Sequence, residues 1–215
     1  MALLLLLVPM TSAAQEGFEG ILRGTFSITA GPGDIALYVA PEGLRAEVTV
    51  YAFPFGEQRE VFLLRSTEPE RIYRIDPDER TYRVLDVDEA TARALRPGAT
   101  FQVERRGTSE VAGLPAQRTE VTTDEGVRFE VWTSPAVPDD AAVLRAIGVD
   151  ATEGLLAALD QAGLQGAIVR LFHYPAGSDA PSVSFEVTSI ERRDIAPSLL
   201  QLPSWVREDE PVPSS

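Results

Sequence analysis

The sequence predicts an α+β domain: a strongly curved antiparallel sheet, an incomplete β-barrel, with two or three helices covering its concave face. Three observations carry that expectation. Short segments of period-two hydrophobicity recur between Gly, Pro and Asp turns at nearly regular spacing. The period lengthens to that of helices only late, between residues 140 and 164. The 215 residues contain no linker of domain-boundary length and no internal repeat, which argues for one domain around one sheet.

Taken in order, Ile21 to Thr29 alternates. Leu22, Gly24, Phe26 and Ile28 share one face, and Arg23, Thr25, Ser27 and Thr29 share the other. Gly31-Pro32-Gly33 reads as a turn. Ile35, Leu37 and Val39 alternate again, Pro41-Glu42-Gly43 turns, and Leu44, Ala46, Val48 and Val50 complete a three-strand meander. The loop Ala52 to Gly56 sets Phe53 and Phe55 about a proline. Strands follow at Val61 to Arg65 and Arg71 to Ile75. Asp76-Pro77-Asp78-Glu79 turns by its Asx-Pro chemistry, and Tyr82 to Val87 returns. Asp88 to Leu95 reads as a short helix. A second β block comprises Phe101 to Arg106, Arg118 to Thr123 and Val127 to Thr133. Asp140 to Ile147 and Thr152 to Leu164 then read as helices, the second with Thr152 as N-cap and Leu155, Leu156 and Leu159 on one face. Ala167 to Tyr174 and Ser182 to Ile190 are closing strands. Leu199 to Trp205 is a covering segment, and 208–215 a polar, proline-rich tail without fixed structure.

Composition excludes several function classes. Nineteen basic residues face 33 acidic ones, a formal net charge of −14, which repels phosphate backbones and anionic headgroups, so no nucleic-acid partner is expected. Every basic residue is Arg, which removes Schiff-base lysine chemistry and the P-loop lysine. The chain has no Cys, hence no disulfide, thiolate nucleophile or thiolate metal site. Its one histidine, His173, lies between Phe172 and Tyr174 on a strand pattern. No Gly-x-Ser-x-Gly elbow accompanies it, so it reads as a partly buried structural residue. Asp76 to Glu79 and Asp86 to Glu89 are acidic enough for Ca²⁺ but lack the spacing and glycine of an EF-hand loop, and read as surface turns. Arg105-Arg106 and Arg192-Arg193 read as outward charges at strand ends, with an anionic headgroup as the sharper alternative. No catalytic residue, cofactor or metal is expected, and a hydrolase built on scattered carboxylates trails.

The first residues, MALLLLLVPMTSAAQE, hold an apolar run from Ala2 to Val8, the breaker Pro9, and small residues at Ser12 and Ala14 that suit signal-peptidase cleavage before Gln15. No Arg or Lys precedes the run, so a basic n-region would lie upstream. The run is far shorter than the roughly 20 residues that cross a bilayer. The expected organisation is therefore a signal peptide at 1–14, one domain at 15–207 and a tail at 208–215, in a periplasmic protein that is not integral to the membrane.

The segment from Gly107 to Pro115, the strand Phe129-Glu130-Val131-Trp132-Thr133-Ser134, the Gly163-Leu164-Gln165-Gly166 stop, and the closing Ile190-Glu191-Arg192-Arg193 with Leu202-Pro203 resemble an uncharacterised bacterial envelope family. That family is similar to the outer-membrane lipoprotein carrier proteins LolA and LolB, and the resemblance covers roughly Phe18 to Arg207. It implies a half-barrel whose apolar concave face takes acyl chains, so the partners it implies are lipid or acylated lipoprotein, or other envelope proteins. The expected ligand-binding residues are Leu22, Phe26 and Ile28 on the first strand, with Phe53 and Phe55 at the rim. The competing expectation is a structural or interaction module whose core is filled.

Overall fold

The computed structural model describes residues 18–86, 101–137, 163 and 166–209. They form one 12-stranded sheet: β1 (Gly20–Ile28), β2 (Gly31–Ala40), β3 (Gly43–Ala52), β4 (Gly56–Arg65), β5 (Glu68–Asp76), β6 (Thr81–Asp86), β7 (Phe101–Val111), β8 (Leu114–Thr123), β9 (Arg128–Ser134), β10 (Ala167–Tyr174), β11 (Val183–Arg192) and β12 (Arg207–Glu208). Their order across the sheet is β12-β6-β5-β4-β3-β2-β1-β11-β10-β9-β8-β7. Two antiparallel meanders, β1 to β6 and β7 to β11, thus meet at the β1–β11 seam. At that seam Leu22 lies opposite Ile190, and Phe26 opposite Phe185.

Residues opposite each other in an antiparallel ladder share a face, so register alone divides the sheet in two. Leu22, Phe26, Leu37, Val48, Ala46, Phe62, Ile72, Val121, Phe129, Leu171 and Phe185 fall on one face, here the inner one, and belong to the larger apolar core. On the outer face of the first meander, Ile21, Val61, Leu63, Tyr73 and Ile75 form a second, smaller core. The chain's own end covers it. A 3-10 turn at Pro197–Leu200 places Leu200 in this core, with Ile195 and the half-buried Leu202 and Val206 beside it. The Ile195 amide donates to the Glu19 carboxylate at 2.8 Å. β12 then pairs parallel with β6, with Arg207 opposite Thr81 and Glu208 opposite Tyr82, and closes that edge of the sheet.

This architecture corrects the expected fold class. Among the described residues there is no α-helix: they are all-β, not α+β with helices over a concave face. The physical reason is that period two runs on through stretches whose turn-forming residues suggested connections. β4 begins at Gly56 and β7 continues to Val111, and the outer apolar patch is sealed by an extended strap rather than by a helix. The three segments read as helical, Asp88 to Leu95, Asp140 to Ile147 and Thr152 to Leu164, lie outside the described residues apart from Gly163. Three local corrections accompany this one. Gly31-Pro32-Gly33 begins β2 and the turn is Thr29-Ala30; the turn before β8 is Ala112-Gly113, so Leu114 and Pro115, expected with Gly113 to form a connection, are in β8; and Glu208, read as tail, is in β12.

Gly33 explains the first of these. It pairs with Phe26, and a Cβ there would run into the Phe26 ring and the Thr49 carbonyl oxygen. A glycine in mid-sheet leaves room for a neighbouring aromatic ring to lie across the bare backbone.

Candidate functional site

Both meanders change character along their length. At one end of the sheet the inner face is sealed: Leu22 is 1% exposed, and Leu37, Ala46, Phe62, Ile72 and Val187 are equally buried. At the other end the same face opens. Phe26 and Ile28, further along β1, are only half-buried, as is Val50 opposite Gly33 on β3. The second meander opens less. Phe101 and Val127 are half-buried against the inner core and Val103, on the edge strand β7, is exposed, while Val121 and Phe129 at the same end are fully buried.

The β3–β4 hairpin turns at this open end, because the last residues of β3 pair with the first of β2, which in turn face the end of β1. Its tip holds Phe53, 96% exposed, and Phe55, 78% exposed. Tyr51 stands at its base, partly exposed, and donates from its hydroxyl to Asp34 at 2.8 Å. A single exposed apolar residue calls for no explanation, but two bare phenylalanines on one turn beside a half-buried apolar face form a patch. The five expected site residues therefore divide. Phe26 and Ile28 sit on the open inner face, Phe53 and Phe55 on the adjacent tip, and Leu22 lies in the sealed half, where it packs rather than lines an opening.

Sequence reasoning passed over the second meander's contribution. Phe129, His173 and Val183 lie side by side on β9, β10 and β11 at the same open end. The imidazole is half-buried, with its ring centroid 5.0 Å from that of Phe129, and Nδ1 is hydrogen-bonded to Ser182 Oγ at 2.7 Å. The Ser182 amide also donates to the His173 carbonyl at 2.8 Å. Burial holds the imidazole below its ordinary pKa. The polar-apolar alternation of β10 was readable in advance. Its position one strand away from β1, across β11, was not, because the seam joins strands from near the two ends of the described chain.

The arginines are largely absorbed by the fold. Arg106 binds Glu104 at 2.6 Å and Glu120 at 3.2 Å, and Arg193 binds Glu191 at 3.3 Å. Arg192 stacks on Phe18. On the outer face Trp132 lies between the guanidinium groups of Arg118 and Arg170, at 5.2 and 5.3 Å, while Glu130 receives Arg118 and Arg128 and Glu186 receives Arg170. Asp76 closes its own turn, accepting the amides of Asp78 and Glu79 at 2.9 Å. Asp86 ends β6 at the last described position before residue 101. Among the described residues no group of three or more His, Asp or Glu side chains is arranged to hold a metal ion, and no helix is long and apolar enough to cross a membrane.

Among the described residues, fold and site together define an all-β sheet whose distinctive surface is an apolar sheet end. The chain belongs to the DUF4412 family, a domain of unknown function, whose model matches residues 18–205. No curated protein matches the chain. Among solved structures it is similar to an uncharacterized conserved protein from Thermus thermophilus, with 8% identity, 89% of this chain and 90% of that one covered, and a TM-score of 0.49. It is also similar to the MucA/MucB complex of Pseudomonas aeruginosa, with 12% identity, 90% and 58% covered, and a TM-score of 0.48. A third match is MucB in complex with MucA(peri), with 12% identity, 87% and 55% covered, and a TM-score of 0.46. The chain spans little more than half the length of the MucB chains.

Proposed function

We propose that this protein is an exported, non-catalytic binding protein of the cell envelope that takes an apolar ligand, of acyl-chain type, at the open end of its inner face. The observation that carries the reading is the coincidence of the half-buried Phe26, Ile28 and Val50 with the bare tip Phe53–Phe55 at one end of the sheet. Burying a methylene contributes about 0.8 kcal/mol, so a twelve-carbon chain brings of order 10 kcal/mol before the costs of ordering. A carrier of lipid or acylated lipoprotein, as the resemblance to LolA and LolB implies, is the specific form of this reading. Ser12-Ala13-Ala14 supports export with a mature start at Gln15.

The second reading is a structural or interaction module with a filled core, and the sealed half around Leu22 and Phe62 favours it. Phe26→Asp separates the two. The test uses protein recovered from the envelope, its amino terminus sequenced to check cleavage before Gln15. At an open, hydrated site a carboxylate costs little folding free energy but opposes an acyl chain, because the charge must be desolvated. The binding protein keeps its melting temperature within a few degrees and loses uptake of a fluorescent acyl probe. A wild-type protein that takes up no probe, with an unfolded variant, establishes the filled core instead.

A further inference from the structure

On the inner face of β9 to β11 the open end is apolar except at one point, and that point has a built geometry. His173 stands on the inner face between Phe129 and Val183, and Ser182 Oγ holds its Nδ1 at 2.7 Å. The backbone bond from the Ser182 amide to the His173 carbonyl fixes the two residues relative to each other. With Nδ1 engaged, Nε2 is the ring atom left for a ligand. Val183 separates His173 from the end of β1. Two strand spacings of about 4.8 Å put the imidazole about 10 Å across the sheet from Ile28.

We propose that His173, positioned by Ser182, receives the uncharged, hydrogen-bonding headgroup of a single-chain amphiphile whose acyl chain lies on the inner face towards Phe26. This deepens the reading of the preceding subsection and rests on it. The charge distribution selects a neutral head. Asp124 and Glu125 in the β8–β9 turn and Asp179 in the β10–β11 loop lie at this end of the sheet, where the two connections approach each other at Gly126 and Ala176. The charged residues of the neighbouring strands point away: Arg128 and Glu130 of β9 and Glu186 of β11 are on the outer face, where Arg128 stacks on Tyr174 and Arg170 pairs with Glu186. On the inner face β8 offers Val121 and Thr123. A carboxylate arriving here meets acidic turns, and among the described residues β8 to β11 bring no cation to the inner face at this end. An ester, amide or hydroxyl meets a neutral imidazole able to donate or accept.

The test compares displacement of the fluorescent acyl probe by 1-monolaurin and by laurate, which share a chain and differ in the head. Wild-type protein is expected to prefer monolaurin by about fivefold or more, the scale of one hydrogen bond. His173→Leu is expected to abolish the preference while still binding the probe, and His173→Gln to keep part of it. His173 is the chain's one histidine, so its imidazole NMR signals need no assignment, and they are expected to move with monolaurin. Probe binding with equal displacement by the two lipids, or unmoved imidazole signals at saturation, overturns the headgroup inference alone. Absence of probe binding to the wild type overturns the binding function with it. Should His173→Leu fail to fold, the wild-type preference and the imidazole signals decide.

Discussion

Single residues at the open end obey two constraints, space and charge. Gly33 meets the first: any side chain there displaces the Phe26 ring that the proposed site uses. His173 meets the second. Burial depresses its folded pKa below the unfolded value of about 6.5, so the folded state binds its proton less readily than the unfolded chain. The stability tied to this residue is therefore fully present above about pH 6.5 and is lost as pH falls through the folded pKa. The half-solvated ring limits the effect to under about 1 kcal/mol. Urea denaturation at pH 7 and pH 5.5 measures it. The wild type is expected to lose more stability over that interval than His173→Gln, and equal losses contradict a desolvated imidazole.

At the scale of elements, the strap from Ile195 to Asp209 does the work that sequence reading assigned to helices on the other face. Leu200 is buried in the outer core that β1, β2, β4 and β5 build, and the Arg83–Asp209 ion pair and the Asp209 amide bond to the Tyr82 carbonyl fasten the end beyond β12. Leu200→Ala is expected to cost about 2 to 3 kcal/mol, at the lower end for a buried leucine because the strap can settle inward. Hydrogen exchange locates the loss. Amides of Ile195 to Leu200 and β12 should lose protection while those of β1, β2 and β10 keep it, and uniform loss would show that the strap is integral to the sheet. The covering role of Leu199 to Trp205 was legible from its proline-flanked apolar residues. The two-residue β12 was not, because Arg207-Glu208 has no pattern of its own and pairs only through β6. Likewise β1 declared its inner face by alternation, and following the meander to the β3–β4 turn placed Phe53 and Phe55 at the end of Ile28. The long β7, expected to end at Arg106, runs on through Gly107, which adjoins a register shift in an otherwise continuous strand.

The whole molecule depends on one seam. β1 to β6 and β7 to β11 are each internally antiparallel, every strand lying beside its neighbour in sequence. Only β1 against β11, drawn from near the two ends of the described chain, makes them a single sheet with a shared inner core. Neither meander buries that core alone, since Phe26 lies against Phe185 and Leu22 against Ile190 across the joint. Gly24 is a close approach in the middle of the joint: a Cβ there would stand 2.7 Å from the Glu186 carbonyl oxygen, which is backbone and cannot swing aside, and 3.2 Å from the Phe185 ring. Gly24→Val is therefore expected to cost about 3 kcal/mol, the upper range for an overpacked site, by prising the strands apart. Because each half needs the other, unfolding should remain one transition with and without that change. In a Trp205→Phe background Trp132 reports on the second meander, and far-UV circular dichroism reports on both. Coincident denaturation curves, shifted together in Gly24→Val, are the expected result. A variant in which Trp132 keeps its native fluorescence after half the dichroism is gone would show that the second meander stands by itself, and that the seam joins two modules rather than completing one.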